Sequence, residues 1–330
     1  MSIATAPRIG FVVDCGGDVG WGHFVRCHAL ASELRGRGCD VGLFVNGEPP
    51  PFADESAAAA TGEPSGTVGH LPPPFEDVDA VVLDLWRYSD GVREALPRAA
   101  LVVTLIDGRD PPFESDLTVD PNVSAGISNG RTRLSGGDYV ILRPEFDQTV
   151  VRTAARVPDS LVVSFGGTDR SSLLSRVLAR ATSPGGAPFA QIVAVVPPAP
   201  DADGSRGDSM PNVSWRTSVA DMPELLLGAE AGLIAAGTLL HEACATGLPC
   251  AVVALTPDQE LEARALAGRG AVLYLGSAEE LTDTVIVSAL TSLRDGSVRA
   301  QLSTRAREAI DGGGRKRVAD ALLDRLGRRV

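Results

Sequence analysis

The sequence of 330 residues predicts an α/β fold built from two doubly wound halves. Two observations carry this prediction: short apolar runs alternate with segments of helical periodicity, and glycine-rich turns follow several of those runs. Strands that alternate with helices are typical of parallel sheets covered by helices on both faces, and the length allows two cores. We therefore predict an N-terminal domain over residues 1–147 and a C-terminal domain over residues 148–330.

The first half opens with the apolar run RIGFVVDC, which predicts a buried parallel strand. The segment FVRCHALASELRGRG follows, and its apolar spacing predicts a helix that ends at Gly36 or Gly38. Prolines and glycines between Gly47 and Pro74 predict a long loop. The remaining strands are predicted at DVGLFVN, DAVVLDLW, ALVVTLID and SDLTVDPN, before the closing segment GGDYVILRPEF.

The second half follows the polar segment DQTVVRTAARVPDS, which we interpret as the link between the domains. The segment PPAPDADGSRGDSMP has the composition of a surface loop. Strands of this half are predicted at SLVVSFGGTD, FAQIVAVV, NVSWRTS, AEAGLIAAG, LPCAVVAL and AVLYLG.

Composition disfavours several classes of partner. A net charge of −12 and an isoelectric point near 4.8 disfavour nucleic acid and anionic membranes. The apolar stretches fall short of the roughly 20 residues that a spanning helix needs. The N-terminal segment lacks a basic leader and a long apolar core, so we expect a cytoplasmic protein with reduced cysteines. We predict no metal site and no cofactor, because no close Cys or His pairs accompany Cys15, Cys27 and Cys39.

Ligands of open parallel sheets bind beyond the carboxyl ends of the strands, and a glycine pair follows one predicted strand there. Gly166 and Gly167 precede Thr168 and Asp169, which lead into a helix. Glycines let a phosphate approach the backbone, and the amides of a helix N-terminus attract it. The pair is therefore a candidate anion-binding turn. An equally weighted alternative is a tight turn with Asp169 as the helix N-cap.

A second turn of this kind contains Gly237 and Thr238, between a strand and a helix. Glu242 lies about one helical turn further along the same face. Its carboxylate could accept hydrogen bonds from both ribose hydroxyls while Thr238 and backbone amides meet a phosphate. The alternative is an acidic residue that complements the helix dipole. His241 points elsewhere on the helix and is expected at the surface or in packing.

The first-half turn carries the most informative histidine. His23 follows Gly20 and Gly22 at a predicted helix start, and Asp14 lies nine residues upstream. The positive end of the helix dipole favours the neutral imidazole, which can accept a proton. We therefore predict that His23 is catalytic and include Asp14 in the catalytic group.

Four segments resemble, in order and spacing, the UDP-sugar hydrolases of the pseudaminic-acid pathway and the related spore-coat polysaccharide proteins. They are DCGGDVGWGHFVRCHALASEL, GGDYVILRPEF, VSFGGTD and AAGTLLHEACATGLP with the later PDQ. The resemblance implies a glycosyltransferase-B-like (GT-B-like) architecture, in which two Rossmann-like domains face each other across a cleft. It also implies that the second domain binds the nucleotide and that water attacks the anomeric carbon without a metal.

The resemblance also assigns individual residues. His23 matches the histidine that deprotonates or positions the water, with Trp86 and Tyr88 near the position where the family usually has a tyrosine. Arg26 belongs to the same motif as His23. The residues implied to bind substrate are Gly20, Gly22, Arg26, Gly166, Gly167, Thr168, Asp169, Gly237, Thr238, Leu239, Glu242 and Gln259.

Three functions remain open at this point. The first is hydrolysis of a nucleotide sugar, which the resemblance implies to be a UDP-sugar, with His23 as the base. One inverting step is expected, because no carboxylate nucleophile is evident in the first-half loops. The second is a GT-B glycosyltransferase that moves the sugar to an acceptor hydroxyl or amine. The third is a nucleotide-sugar-binding protein without catalysis. The sequence gives no signal for the oligomeric state.

Overall fold

The structure is a computed structural model that describes residues 6–16, 19, 21–47, 60–62, 77–88, 91–98, 100–107, 111–125, 133–147, 156–166, 170–197, 210–217, 219 and 221–328. The chain divides into two compact units. The first comprises Met1–Pro144 with Gly312–Val330, and the second comprises Glu145–Asp311. Within the described part of the chain, no helix is long and apolar enough to cross a membrane.

The first unit contains a parallel sheet whose described strands lie in the order β3-β2-β1-β4-β5-β6-β7. Its elements before the second unit are β1 (Arg8–Cys15), α1 (Gly22–Gly36), β2 (Asp40–Gly47), β3 (Ala60–Gly62), β4 (Ala80–Asp84), α2 (Val92–Ala95), β5 (Leu101–Leu105), β6 (Leu117–Asp120) and β7 (Arg133–Ser135). The central strands β1, β4 and β5 are almost continuously apolar and buried, as expected of strands covered on both faces. Most of the predicted loop from Gly47 to Pro74 lies outside the described residues.

The second unit repeats this plan with the strand order β10-β9-β8-β11-β12-β13. Its elements are β8 (Ser160–Ser164), α3 (Ser171–Thr182), β9 (Gln191–Val196), β10 (Val213–Thr217), α4 (Met222–Gly228), β11 (Ala231–Ala235), α5 (Thr238–Thr246), β12 (Cys250–Ala254), α6 (Pro257–Gly268), β13 (Leu273–Ser277), α7 (Asp283–Arg294) and α8 (Gly296–Ala309). In each unit the chain therefore places its first strand beside its fourth, as in doubly wound nucleotide-binding folds. The predicted α/β class with two doubly wound sheets is confirmed.

The final helix, α9 (Gly314–Gly327), belongs to the first unit and not to the C-terminal domain that was predicted. It packs against α1 in the first unit, where Val318 and Leu322 are fully buried, although the sequence analysis assigned residues 148–330 to one domain. Gly314 allows the close approach, because a Cβ there would lie 2.2 Å from the carbonyl oxygen of Val140. The apolar face of α9 thus completes the core of the first unit.

Candidate functional site

The candidate functional residues of the first unit lie at the carboxyl edge of its sheet. His23 is in the first turn of α1, which follows β1, and Asp84 is the last residue of the neighbouring strand β4. Val13 of β1 is in register with Asp84 of β4, and Asp107 follows β5 by two residues. Because β1 and β4 flank the point where the strand order reverses, this is the position where doubly wound sheets bind ligands.

His23 and Asp84 form a buried pair. The Nδ1 atom of His23 lies 2.5 Å from Oδ1 of Asp84, and the two side chains are only 9% and 1% exposed. Burial raises the pKa of Asp84, but the charges of Arg26 and His23 outweigh it and hold that pKa below its ordinary value. Since an ionised carboxylate only accepts hydrogen bonds, Nδ1 donates. A neutral His23 ring then carries its lone pair on Nε2, which suits a general base.

Arg26 holds the two carboxylates of the site in place. Its Nε and Nη2 atoms each donate to Asp84 at 2.6 Å, and its Nη1 donates to Asp107 at the same distance. Burial lowers the pKa of Arg26, but Asp107 and Asp84 raise it well above its ordinary value, so the guanidinium stays charged. The Nη2 atom also lies 3.0 Å from Nδ1 of His23; because Nδ1 donates to Asp84, this contact is not a hydrogen bond.

Asp107 faces the other nitrogen of the histidine. Its Oδ2 lies 3.6 Å from Nε2 of His23, and its side chain is 30% exposed. Burial raises the pKa of Asp107, but Arg26, followed by His23 and a hydrogen bond from Asn122, lowers it well below its usual range. The amide of Asn122 donates to Oδ1 of Asp107 at 3.0 Å. Asp107 is therefore an anion that solvent or a substrate can reach.

The sequence analysis missed Asp84 and Asp107, which lie beside His23. The signal was present, because three successive apolar runs of this half end in aspartate, at Asp84, Asp107 and Asp120. Parallel strands bring such ends to one edge of the sheet. Asp120 pairs there with Arg133 and accepts a hydrogen bond from Asn122 at 3.0 Å.

All five cysteines are buried free thiols, and Cys27 also contacts Asp84. Its Sγ donates to Oδ2 of Asp84 at 3.3 Å. Burial, and then the charge of Asp84, raises the pKa of the Cys27 thiol well above its ordinary value. The thiol therefore remains protonated as a donor to Asp84.

Asp14 and Trp86, both predicted in the catalytic group, are linked to each other, and Trp86 contacts His23. The hydrogen bonds of Asp14 come from the amide of Asn46 and the backbone N–H of Trp86, each at 2.8 Å. The Trp86 ring meets the His23 ring edge-on, with centroids 6.2 Å apart, and is 38% exposed. Asp14 thus fixes the segment that carries Trp86, and a catalytic role for either residue stays a prediction.

Tyr88, the fourth predicted catalytic residue, packs edge-on against Phe113 with centroids 5.5 Å apart. Its hydroxyl is buried and has no hydrogen-bond partner among the described residues. Burial, followed by the charge of Asp84, raises the pKa of this phenol well above its ordinary value. The phenol therefore stays protonated.

In the second unit, two predicted binding elements come together. Gly237 and Thr238 begin α5 directly after β11, Leu239 is half-buried, and Glu242 is buried one turn along the helix. Gln259 of α6 accepts a hydrogen bond from the N–H of Leu255 at 3.0 Å through Oε1. Its Nε2 would lie 3.7 Å from a Cβ built on Gly237, so the Gln259 amide reaches the start of α5.

His241 contributes to the same arrangement. Its Nε2 lies 2.7 Å from Oε1 of Glu262, a pair that is mostly buried and joins α5 to α6. The expected packing role of His241 therefore includes a polar link between the two helices whose N-terminal turns carry Gly237 and Gln259.

The predicted anion-binding turn is described only in part. Gly166 follows β8 with a φ of +85°, and a Cβ at this position would meet nothing within 4 Å. Gly22 lies in the first turn of α1. Gly20, Gly167, Thr168 and Asp169 lie outside the described residues.

Gly166→Ala is expected to destabilise the protein by about 1–2 kcal/mol, because an L-residue is strained at this positive φ although space is available. Gly268→Ala, at the end of α6, is the matched control: it also has open space but no positive φ, and it should be neutral or slightly stabilising. Urea unfolding of both variants measures the difference, and equal stabilities would contradict the strain.

Within the described ranges, no group of three or more His, Cys, Asp or Glu side chains is placed to hold a metal ion.

The class defined by this architecture is the two-domain α/β fold of GT-B glycosyltransferases. Solved structures with this fold superpose along nearly the whole chain. MurG of Acinetobacter baumannii superposes with a TM-score of 0.65 at 15% identity, covering 96% of this chain and 100% of that one. The calicheamicin glycosyltransferase CalG4 superposes with a TM-score of 0.61 at 19% identity, covering 98% and 99%. These likenesses show the fold.

Among curated proteins, the chain is similar to the spore coat polysaccharide biosynthesis protein SpsG of Bacillus subtilis strain 168. The two are 26% identical over 340 aligned positions, which cover 96% of this chain and 98% of SpsG. No protein-family model matches the chain.

Proposed function

We propose that the chain is a glycosyltransferase that uses a nucleotide sugar as donor, with His23 as general base. The observation that carries the proposal is the buried His23–Asp84 pair at the strand-order reversal of the first sheet, which leaves Nε2 of His23 as a proton acceptor. Asp84 fixes the ring and its tautomer, and Arg26 keeps Asp84 ionised and in place. Such a base contributes about 10²- to 10⁴-fold to a rate.

In the proposed reaction the nucleophile attacks the anomeric carbon in one step. Its proton passes to Nε2 of His23, and the bond between the anomeric carbon and the diphosphate breaks with its electron pair on the diphosphate oxygen. Asp84 accepts four hydrogen bonds and is 1% exposed, so it is not available as a nucleophile. A single displacement inverts the anomeric configuration, which proton NMR of the first-formed product tests.

The second unit supplies the proposed nucleotide site. Backbone amides at Gly237 and Thr238 begin α5, where the helix dipole favours the diphosphate. Fixed donors of this kind stabilise the leaving group without reorganisation. Gln259 lies at the same helix start, and the positive φ of Gly166 opens the turn after β8. Gly167, Thr168 and Asp169 are proposed from the sequence to contact the diphosphate.

Glu242→Gln is expected to weaken binding of a uridine nucleotide about 10- to 100-fold, because the proposed ribose contact loses its charged acceptor. Isothermal titration with UDP measures the loss. A 2′,3′-dideoxy nucleotide is the control ligand, since it lacks the hydroxyls and should bind both proteins alike. An equal loss with the dideoxy nucleotide would contradict a ribose contact.

The relatives support transfer to an acceptor over hydrolysis, because CalG4 carries the name of a glycosyltransferase and SpsG that of a polysaccharide biosynthesis protein. Hydrolysis remains the second candidate, supported by the segments GWGHFVRC, LRPEF and FGGTD. In both reactions His23 serves as the base, and only the nucleophile differs.

Incubation of the full chain with a panel of UDP-, CMP-, GDP- and dTDP-sugars tests the proposal. Release of nucleotide that depends on an added acceptor supports glycosyl transfer, and release in water alone at the same rate supports hydrolysis. If no nucleotide sugar shifts the melting temperature or releases nucleotide, the proposed function is wrong.

A further inference from the structure

Two groups of the first unit that can accept a proton lie close together. The first is Nε2 of His23, which carries the lone pair of a neutral ring whose Nδ1 donates to Asp84. The second is Oδ2 of Asp107, which is ionised and partly exposed. The two atoms are 3.6 Å apart, too far for a direct hydrogen bond. At this separation a single third atom can lie within hydrogen-bond distance of both.

The geometry of that position can be stated. An atom at about 2.8 Å from each acceptor sees them at an angle of roughly 80°, given their separation of 3.6 Å. Two hydrogens on one oxygen or nitrogen diverge by slightly more than a right angle, so each hydrogen bond bends by only about 15°. One atom that carries two hydrogens can therefore satisfy both acceptors.

Asp107 is free to serve in this way because its other contacts leave a lone pair in place. Its Oδ1 accepts from Arg26 at 2.6 Å and from Asn122 at 3.0 Å. Its Oδ2 accepts only a longer bond from Arg26, at 3.1 Å, among the described residues. Since a carboxylate oxygen has room for two donors, Oδ2 retains capacity on the side facing His23.

We propose that Asp107 is a second catalytic residue, and that with His23 it selects a nucleophile bearing two hydrogens, namely a primary amine or water, over an alcohol. This inference rests on the proposed function, in which His23 is the base; an amine is then the nucleophile of glycosyl transfer, and water is that of hydrolysis. An alcohol has one hydrogen, so it leaves one of the two acceptors facing an oxygen lone pair, which costs the interaction of that acceptor.

The proposed step balances for both nucleophiles. A neutral amine donates one N–H to His23 and one to Asp107, and its lone pair forms the bond to the anomeric carbon. The bond to the diphosphate breaks with its electron pair on the leaving oxygen. One proton passes from nitrogen to Nε2 of His23, and the remaining N–H stays hydrogen-bonded to Asp107. Water reacts in the same way, and the remaining O–H of the product contacts Asp107.

The test compares three nucleophiles: water alone, methoxyamine and ethanol. Each is incubated with the full chain and with the UDP-, CMP-, GDP- or dTDP-sugar that the chain turns over. Methoxyamine and ethanol have the same number of heavy atoms, but only methoxyamine carries two hydrogens on its reacting atom. Mass spectrometry of the glycosyl products gives the partition per mole of nucleophile, after subtraction of the oxime that methoxyamine forms with the free sugar in a parallel incubation without donor. The expected preference for methoxyamine over ethanol is tenfold or more, and the water arm shows whether hydrolysis shares the site.

Asp107→Asn is expected to lower kcat with water and with methoxyamine about 100-fold. The KM of the nucleotide sugar should change less than about threefold. The preference for methoxyamine over ethanol should also fall. Asp107→Glu keeps the charge that Arg26 requires but moves the carboxylate, so it should fold like the wild type and also lose the preference. An unchanged preference in the Glu variant, or equal slowing with all three nucleophiles, overturns the inference.

A failure of the proposed function is distinguishable from a failure of this inference. Wild-type protein that releases no nucleotide from any sugar donor overturns the proposed function. Wild-type protein that is active but prefers ethanol, or treats ethanol and methoxyamine alike, overturns only the role of Asp107.

Discussion

His23→Ala is expected to lower kcat by about 10²- to 10⁴-fold and to leave the affinity for the nucleotide almost unchanged. The loss follows from removal of the acceptor nitrogen, because Asp84, which holds the ring, is too buried to take a proton from a substrate directly. Nucleotide affinity should persist, since the proposed nucleotide contacts belong to the second unit. Steady-state assays of nucleotide release and titration with the free nucleotide measure the two quantities.

His28→Ala is the matched control for this prediction. His28 lies on the same helix α1 and stacks on Phe24 with ring centroids 5.8 Å apart, away from the Asp84 pair. Its loss should change the stability slightly and the rate by less than the loss of His23. A parallel fall in rate and nucleotide affinity in His23→Ala would assign the histidine a structural role. An active His23→Ala protein would remove it from the mechanism.

The sequence predicted the position of His23 because its local pattern is informative: an apolar strand, a glycine-rich turn and a helix follow one another. The partner of His23 could not be found in this way. Asp84 lies 61 residues further along the chain, and it comes beside His23 only because β4 pairs with β1. A crossover of that length is fixed by the packing of the whole sheet. The aspartates that end successive strands were nevertheless visible in the sequence.

The division of the chain shows the same limit. The strands of both units were predictable, because continuous apolar runs are typical of parallel strands buried on both faces. The return of α9 to the first unit was not, since an amphipathic helix shows which face is buried but not which core receives it. Arg315, buried at the start of α9, donates to Glu33 of α1 at 3.0 Å and to the carbonyl of Leu142 at 3.1 Å. Such contacts are specific to the assembled unit.

Arg26→Met is expected to have the second large effect, on stability as well as on activity. The guanidinium is the cation between Asp84 and Asp107, and its removal leaves two buried or partly buried carboxylates without their main partner. Removing one partner of a buried ion pair typically costs about 3–5 kcal/mol. Activity should fall as well, because Asp84 loses the contacts that orient it towards His23.

Arg37→Met is the control for Arg26→Met. Arg37 also pairs with carboxylates of the first unit, Glu33 and Asp320, but Asp320 is well exposed. Exposed pairs contribute about 0–1 kcal/mol, and Glu33 keeps Arg315 as a second partner at 3.0 Å. This variant should therefore lose much less stability than Arg26→Met in urea unfolding. Equal losses in the two variants would contradict a special role for the buried cluster.

The pH dependence distinguishes a lost ion pair from lost packing. In the wild type, burial raises the pKa values of Asp84 and Asp107, but the charges of Arg26 and His23 lower them by more than burial raises them. Both pKa values therefore lie below their ordinary values. A lowered carboxyl pKa contributes stability above the unfolded-state pKa, and this contribution is lost as the pH falls towards the folded-state value. Without Arg26, burial favours protonation instead. The loss in free energy of unfolding caused by Arg26→Met should therefore be largest near neutral pH and shrink towards about pH 4. A loss that does not change with pH would instead be due to the packing of the side chain.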